Sequence, residues 1–182
     1  ACYCITDIAC VKYLIKLDSS GPVMFRQVRV TTYGKEFRIF KFRTMVNYAD
    51  EIGSQVTTKG DTRVTKIGKL LRGCRLDELP QLLNILKGEM TFVGTRPEVP
   101  KYVQHYTNEM KATLLLPAGV TSRASIEYKD EERLLENAEN ADNVYVQQVL
   151  PEKMKYNLRQ MKNFSFFEDI KTMFATVVAV IR

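Results

Sequence analysis

Apolar and polar positions along this chain follow two rhythms. Val23 to Val30 and Glu36 to Met45 are rich in β-formers, and Thr31-Thr-Tyr-Gly-Lys35 lies between them. Two such runs around a glycine turn predict a hairpin. Elsewhere the period is helical. Ile8, Val11, Leu14, Ile15 and Leu17 share one face, with Lys12 and Lys16 on another. That pattern suits a core-packed helix, or one whose lysines snorkel at a membrane surface. Residues 46–62 read as a helix start and a polar flap containing Gly53 and Gly60, and Val64 to Leu71 as a short helix.

The densest apolar run comes next. Leu79, Leu82, Leu83 and Leu86 carry the three-and-four spacing of a buried helix face. Pro80 is tolerated in a first turn, and Lys87 with Gly88 supplies stop signals. Asp77 then falls at or beside the N-cap, where the helix dipole favours its ionised form. Met90-Thr-Phe-Val93 is strand-like, Val99 to Leu116 helical, and Val120 to Ile126 strand-like again. Pro151 opens a helix to Lys162, and Ser165-Phe-Phe-Glu168 reads as a capping box for a helix through Ile181. Phe166, Phe167, Ile170, Met173, Phe174, Val177, Val178 and Ile181 cover a wide face of that last helix, suited to a core or a membrane interface. The elements add up to an α+β class: a mostly helical single domain with a small β-hairpin and amphipathic helices.

Composition narrows the partners. With 182 residues, 45% hydrophobic and 26% charged, the chain is one globular domain. The net charge of +6 is uneven. Residues 1–75 hold fourteen Lys/Arg against six Asp/Glu, whereas residues 127–142 hold seven acids against two bases. A basic half implies an anionic partner: a nucleotide, lipid headgroups or nucleic acid. The acidic stretch reads as a solvated surface. Cys2, Cys4, Cys10 and Cys74 suit a reducing setting, and with His105 as the single histidine their spacing does not fit a zinc site. Residues 1–17, interrupted by Asp7, Lys12 and Lys16, are too short and charged to span a bilayer and lack a signal-peptide cleavage site.

The candidate chemistry gathers at Asp77 and Glu78. An Asp-Glu pair alone is ordinary helix capping. Here Arg72 and Arg75 precede it, and a Gly-x-Arg-Pro turn carrying Arg96 and Pro97 follows a short strand. Arginines bracketing two carboxylates point to a phosphate-and-metal site. Two like charges at about 4 Å repel by roughly 4 kcal/mol at an effective dielectric of 20, so a divalent cation and guanidinium groups are needed beside them. Arg26, Arg29, Arg38, Lys41 and Arg43 also alternate with Phe25, Phe37, Phe40 and Phe42. That strand pattern could stack nucleic-acid bases. Inward-packed aromatics with outward cations is the preferred reading, since no nucleic-acid module signature accompanies it.

These blocks carry a family resemblance. Leu76-Asp-Glu-Leu-Pro-Gln-Leu82, Asn84, Lys87-Gly88, Met90 and Val93-Gly-Thr-Arg-Pro97 resemble the bacterial sugar transferases, or monotopic phosphoglycosyl transferases. So do Ser20-Gly-Pro-Val23, Phe25-Arg-Gln27, Lys41-Phe-Arg-Thr-Met45 and Thr62-Arg-Val-Thr-Lys-Ile-Gly68. The block order holds from about Ile15 to the C-terminus.

The resemblance implies transfer of a phosphosugar from a nucleotide diphosphate sugar, a UDP-sugar above all, to polyprenol phosphate. Asp77 would be the nucleophile. Glu78 would act as acid/base and, with Asp77, hold Mg2+; Arg72, Arg96, Pro97 and, more weakly, Arg43 would hold phosphate and nucleotide. UMP would leave, and glycan assembly would begin at the cytoplasmic face of the inner membrane. The resemblance also implies a re-entrant membrane hairpin, of which residues 1–20 are expected to be a truncated remnant ahead of a catalytic domain over 21–182. Two departures stand out: Arg75 where the family often has a small residue, and Thr95 where it has proline. The rival readings are a basic nucleic-acid-binding module and an inactive membrane scaffold; no nucleic-acid partner is expected.

Overall fold

The computed structural model describes residues 8–49, 51, 52, 54, 56–58, 60–135 and 140–181. Cys2, Cys4, Asp7, Gly53, Glu136 and Glu139 lie outside these residues. Helix α1 (Ile8–Asp18) buries Val11 and Ile15 against Phe42 and Leu71, while Ile8 and Leu17 stay exposed. Only a narrow stripe of its apolar face is therefore core. Strands β1 (Met24–Val30) and β2 (Glu36–Phe42) form the expected antiparallel hairpin, pairing Arg29 with Phe37 and Phe25 with Lys41. Its turn needs left-handed backbone at Tyr33 (φ 55°) and Gly34 (φ 76°), which glycine adopts without strain. Both faces are covered: Phe42 packs toward α1, and Phe37 and Ile39 pack on Met90.

Helix α2 (Lys66–Gly73) starts at Thr65, whose hydroxyl accepts from Gly68 N–H at 3.0 Å. Asp18 Oδ2 accepts from Ile67 N–H at 2.8 Å and so fastens α1 to the same turn. A Cβ at Gly68 would lie 2.0 Å from the Thr44 carbonyl oxygen. Glycine is what lets α2 lie against the end of β2, and that approach delivers Arg72 to Thr44.

The leucine run departs most from expectation. Leu76–Gln81 is a 3-10 turn entered through Arg75 in left-handed conformation, and α3 (Leu82–Leu86) follows directly. Pro80 lacks an N–H and crowds the carbonyl four residues back, which favours the tighter turn. The polarity is inverted. Leu79, Leu82, Leu83 and Leu86 are exposed, Leu86 by 83%, whereas Asp77, Glu78, Gln81 and Asn84 are buried. Asn84 explains why: its Oδ1 accepts from Phe40 N–H at 2.9 Å, and its Nδ2 donates to Arg38 O at 3.1 Å and Glu89 Oε2 at 2.7 Å. The amide side chain completes the edge of β2, so its face of the helix turns inward and the leucines turn out.

Strand β3 (Met90–Val93) pairs in parallel with β4 (Ala118–Thr121). Between them the expected long helix is broken into α4 (Pro100–Val103) and a 3-10 turn over Met110–Leu115. Thr107 Oγ1 accepts from Met110 N–H at 3.2 Å and starts that second turn afresh. Gly94 and Gly119 let the backbones cross, since a Cβ on Gly119 would meet Gly94 N at 2.1 Å. The strand expected over residues 120–126 ends at Thr121, because Ser122 caps α5 (Arg123–Glu127) by accepting from Ser125 N–H.

After α6 (Glu131–Leu134) and α7 (Ala141–Val144), a π turn over Tyr145–Val149 leads into α8 (Leu150–Lys162). Tyr102, Tyr106, Leu135, Tyr145, Leu150 and Met154 form the core of this half. Helix α9 (Phe166–Ile181) buries Thr172 and hydrogen-bonds Thr176 to Thr121, yet exposes Phe166, Phe167, Phe174, Val177 and Val178. The Glu168 carboxylate of the expected capping box accepts from Lys171 Nζ at 2.5 Å. No helix among the described residues is long and apolar enough to cross a membrane.

The described residues of the 46–62 flap form turns and no helix start. Arg63 gathers the carbonyls of Ala49, Ile52 and Ser54 within 3.0 Å. Asp142 ties the flap to the C-terminal half, accepting from Ser54 Oγ at 2.7 Å and from Tyr102 Oη and Lys101 Nζ at 2.5 Å each. Burial alone would raise the Asp142 carboxyl, but the three hydrogen bonds outweigh it and bring it down to about 2. A depressed acid stabilises the fold above its unfolded value of ~3.9 and loses that contribution as pH falls toward its folded one. Thermal melts of Asp142→Asn should therefore lie below wild type at pH 7, with the gap closing between about pH 4 and pH 2.

Candidate active site

A cavity of about 1570 Å³ runs between the hairpin, the flap, the 76–81 turn and the C-terminal half. Eleven Lys/Arg against seven Asp/Glu line it. Alternation along β1 and β2 places Gln27, Arg29 and Lys41 on one face of the hairpin. The 3-10 turn sets Asp77 and Glu78 against that face.

Glu78 takes most of the available cations. Arg96 grips it with both terminal nitrogens, Lys41 Nζ donates to Oε1 at 3.0 Å, and Arg75 stands 3.9 Å away. Among the described residues, Lys41 comes within ion-pair reach of Asp77, at 4.0 Å. The two neighbours therefore titrate apart. Burial would raise Glu78, but Arg96 and then Lys41 hold it well below the usual carboxylate range. For Asp77 burial is the largest influence and raises it; Lys41 pulls down, and the adjacent Glu78 charge pushes further up. Burial thus outweighs the pull expected of a helix N-terminus on Asp77. A short 3-10 turn supplies little dipole, and the buried neighbour monopolises the positive charge.

Arg72 donates from Nε to Thr44 Oγ1 at 2.9 Å and from Nη1 to Thr57 Oγ1 at 3.2 Å, so the flap touches it directly. Its charge lowers Asp77, which places it with the pair. Arg96 and Pro97 lie on a turn pinned from two sides. Gly119 N–H donates to Thr95 O at 2.9 Å, and Arg29 Nη1 to Pro97 O at 3.0 Å. The stiffness that proline would lend at position 95 comes here from these bonds.

Arg43 is not gathered with the pair. Its guanidinium donates to Ser20 O at 2.5 Å and Ser19 O at 2.7 Å, with Ile15 O at 3.4 Å. It closes the carboxyl end of α1, where helix-end carbonyls call for donors from outside the helix. Lys41, to which the sequence reading assigned no role, is the strongest addition; the period-two pattern of β2 was the signal that could have found it.

Among the described residues no three His, Cys, Asp or Glu side chains come together as a metal-ion cage. Asp77 retains carboxylate oxygens, while those of Glu78 are engaged by cations. Such a donor set suits Mg2+, which is ordinarily held by one or two carboxylates plus substrate phosphates.

The aromatic residues of the hairpin pack inward or beneath cations: Phe37 and Phe42 are buried, and Arg26 lies 4.1 Å over Phe40. Apolar residues, Leu79, Leu82, Phe92, Ala179 and Val180, also line the cavity. The arrangement, a buried acid pair among guanidinium and ammonium groups beside an exposed apolar border, is one that could hold a phosphorylated ligand with an apolar portion.

The chain belongs to the bacterial sugar transferases, whose family model matches residues 2–182. It is 35% identical over 171 residues to the UDP-N-acetylgalactosamine-undecaprenyl-phosphate N-acetylgalactosaminephosphotransferase of Aeromonas hydrophila, covering 92% of this chain and 37% of that protein. To the UDP-glucose:undecaprenyl-phosphate glucose-1-phosphate transferase of Klebsiella pneumoniae it is 35% identical over 167 residues, 90% of this chain and 33% of that one. The sugar transferase EpsL of Bacillus subtilis (strain 168) is 34% identical over 168 residues, 92% of this chain and 74% of that protein. The chain thus spans about a third of the length of the first two.

The split pair predicts opposite stability effects from adjacent substitutions. A raised carboxyl opposes folding above its unfolded value, so Asp77→Asn should raise the melting temperature at pH 7 in metal-free buffer. Glu78→Gln strands Arg96 and Lys41 and should cost about 3 kcal/mol, since removing one partner of a buried pair leaves uncompensated charge. Denaturant titrations of both variants check the signs.

Proposed function

We propose that this chain transfers a phosphosugar from a UDP-sugar to polyprenol phosphate in two displacements at Asp77, opening glycan assembly. The observation that carries the reading is the position of Asp77: buried at the floor of a cation-lined cavity, with its ordinary counter-charges already engaged by Glu78. In the first step an Asp77 carboxylate oxygen attacks the β-phosphorus, which bears the sugar. The bond between that phosphorus and the bridging oxygen breaks, and UMP departs with the electron pair. In the second, an oxygen of polyprenol phosphate attacks the same phosphorus and the Asp77–phosphorus bond breaks. The products are polyprenyl-diphosphate sugar and a regenerated carboxylate.

The neighbours have separable tasks. Arg72 and Arg96 bind phosphate oxygens, a task suited to planar guanidinium. Glu78 orients Arg96 and Lys41, and its depressed titration fits a group that stays ionised throughout. The raised basicity of Asp77 favours it as nucleophile, because a carboxylate held back by burial gains most when the incoming ligand brings cations or takes up its charge. Mg2+, held by Asp77 together with the diphosphate, would supply charge neutralisation on the phosphoryl oxygens. The names of the relatives support the donor and acceptor classes.

The chemistry is testable by mass. Incubation with a UDP-sugar panel and Mg2+, followed by intact-protein mass measurement, should give a phosphosugar adduct and released UMP, both absent in Asp77→Asn. Adduct formation should also decline on acidification at a pH above the ordinary aspartate value of ~3.9, because the nucleophile must be ionised and its carboxyl is raised. Undiminished turnover by Asp77→Asn would sink the assignment.

An apolar surface supports a position for the acceptor. Leu79, Leu82, Leu83 and Leu86, then Phe92 on β3, then Phe174, Val177 and Val178 on α9 are exposed on successive elements, and β3 contacts both α3 and α9. This surface reaches the cavity at Leu79, Leu82 and Phe92. We assign it to the surface of a bilayer, from which a polyprenol phosphate presents its head to Asp77. Replacing Leu83 and Leu86 together by glutamate should leave the melting temperature within a few degrees, as exposed positions allow, yet abolish sedimentation with anionic phospholipid vesicles. Unchanged vesicle binding would remove this face from the membrane.

A further inference from the structure

Beyond Arg96 the cavity wall carries a second set of ionisable groups that phosphoryl transfer does not use. Lys153, on α8, is 6% exposed, yet its ammonium lies in the protein interior. It donates to Glu131 Oε2 at 2.9 Å and to Tyr145 Oη at 3.1 Å, and stands 3.8 Å from Glu98 Oε1. Tyr145 in turn donates to Glu98 Oε1 at 2.5 Å, from the π turn that interrupts the helix before α8. Glu98, Glu131, Tyr145 and Lys153 all line the cavity.

A buried lysine is a costly way to join two helices, since an apolar residue of similar volume often does as well or better. Three of the four groups are spent on one another. Glu131 is the exception. Its side chain is 32% exposed, it reaches Lys153 through Oε2, and its Oε1 has no hydrogen-bond partner among the described residues. It lies near enough to Arg96 to reinforce that guanidinium's charge. The cavity therefore passes from an acid pair, through phosphate-binding cations, to a held carboxylate with an unused acceptor.

We propose that Glu131, held in place by Lys153, accepts hydrogen bonds from vicinal hydroxyls of the donor and thereby sets donor specificity. This rests on the UDP-sugar reading above. An ionised carboxylate only accepts, and two adjacent hydroxyls can donate to it together, which a phosphate or a hydroxyl-free ring cannot. A UDP-sugar offers such hydroxyls at two places, the hexose and the ribose.

Calorimetric binding to the full chain separates the sources, with UDP-glucose, UDP-N-acetylgalactosamine, UDP and 2′-deoxy-UDP as probes. In Glu131→Gln, whose amide oxygen can still accept from Lys153, affinity should fall about tenfold for probes bearing the recognised hydroxyls. That factor corresponds to about 1.4 kcal/mol, within the range for a hydrogen bond to a charged group. Loss for one or both UDP-sugars with UDP unchanged assigns the hexose. Loss for the UDP-sugars and UDP, with 2′-deoxy-UDP unchanged, assigns the ribose. Equal losses for all four probes, or none, would overturn the proposal, the first by showing that Glu131 only supports the fold. Glu131→Asp, which keeps the charge but withdraws it by one methylene, should show the same pattern more weakly. A wild-type chain that binds none of the probes would overturn the UDP-sugar reading together with this one.

Discussion

Glu78 and Arg96 form the contact on which the rest of the site depends. A carboxylate with less than a tenth of its surface exposed must be paired, and here one guanidinium and one ammonium close on it. The pairing requires three separate pieces of chain to meet: the 76–81 turn, strand β2 through Lys41, and the 94–98 turn. Each is held by backbone geometry of its own. Asn84 completes the edge of β2, Arg29 holds the Pro97 carbonyl, and the Gly94–Gly119 crossing brings β3 and β4 together. The ion pair is thus less a source of stability than the point where those constraints are spent.

Once Glu78 is satisfied, Asp77 is left relatively exposed in the electrostatic sense although buried in the steric one. Two chemically similar neighbours acquire different properties because Arg96 and Lys41 hydrogen-bond to Glu78, whereas Lys41 stands 4.0 Å from Asp77. A buried acid kept short of counter-charge is unfavourable for the free protein, and a ligand that brings cations relieves it. The αL conformation of Arg75, which costs a non-glycine residue roughly 1–2 kcal/mol, belongs to the same turn and the same trade.

The inverted leucine face connects this polar centre to the outside. Turning Asp77, Glu78, Gln81 and Asn84 inward leaves Leu79, Leu82, Leu83 and Leu86 on the surface, so a single turn serves both the charged cavity and its apolar border. Helix α9 behaves alike, burying threonine while exposing phenylalanine and valine. Neither face matches an ordinary solvated helix, and their shared border with the cavity gives both a common use.

The hairpin, helix α2 with its Thr65 cap, helix α8 after Pro151 and the Asp77–Glu78 pair with its arginines were legible along the chain, because turn glycines, caps and local charge act over a few residues. Periodicity also found the leucines, but not which side of them faces the core. That was decided by Asn84, whose amide meets backbone from β2 more than forty residues away. The removal of Arg43 to the end of α1 and the recruitment of Lys41 have the same origin, whereas the break in the expected 99–116 helix is local, at Thr107. Sequence determines what each short stretch can do. Tertiary contact decides which polar groups find partners, and burial then makes those partnerships obligatory.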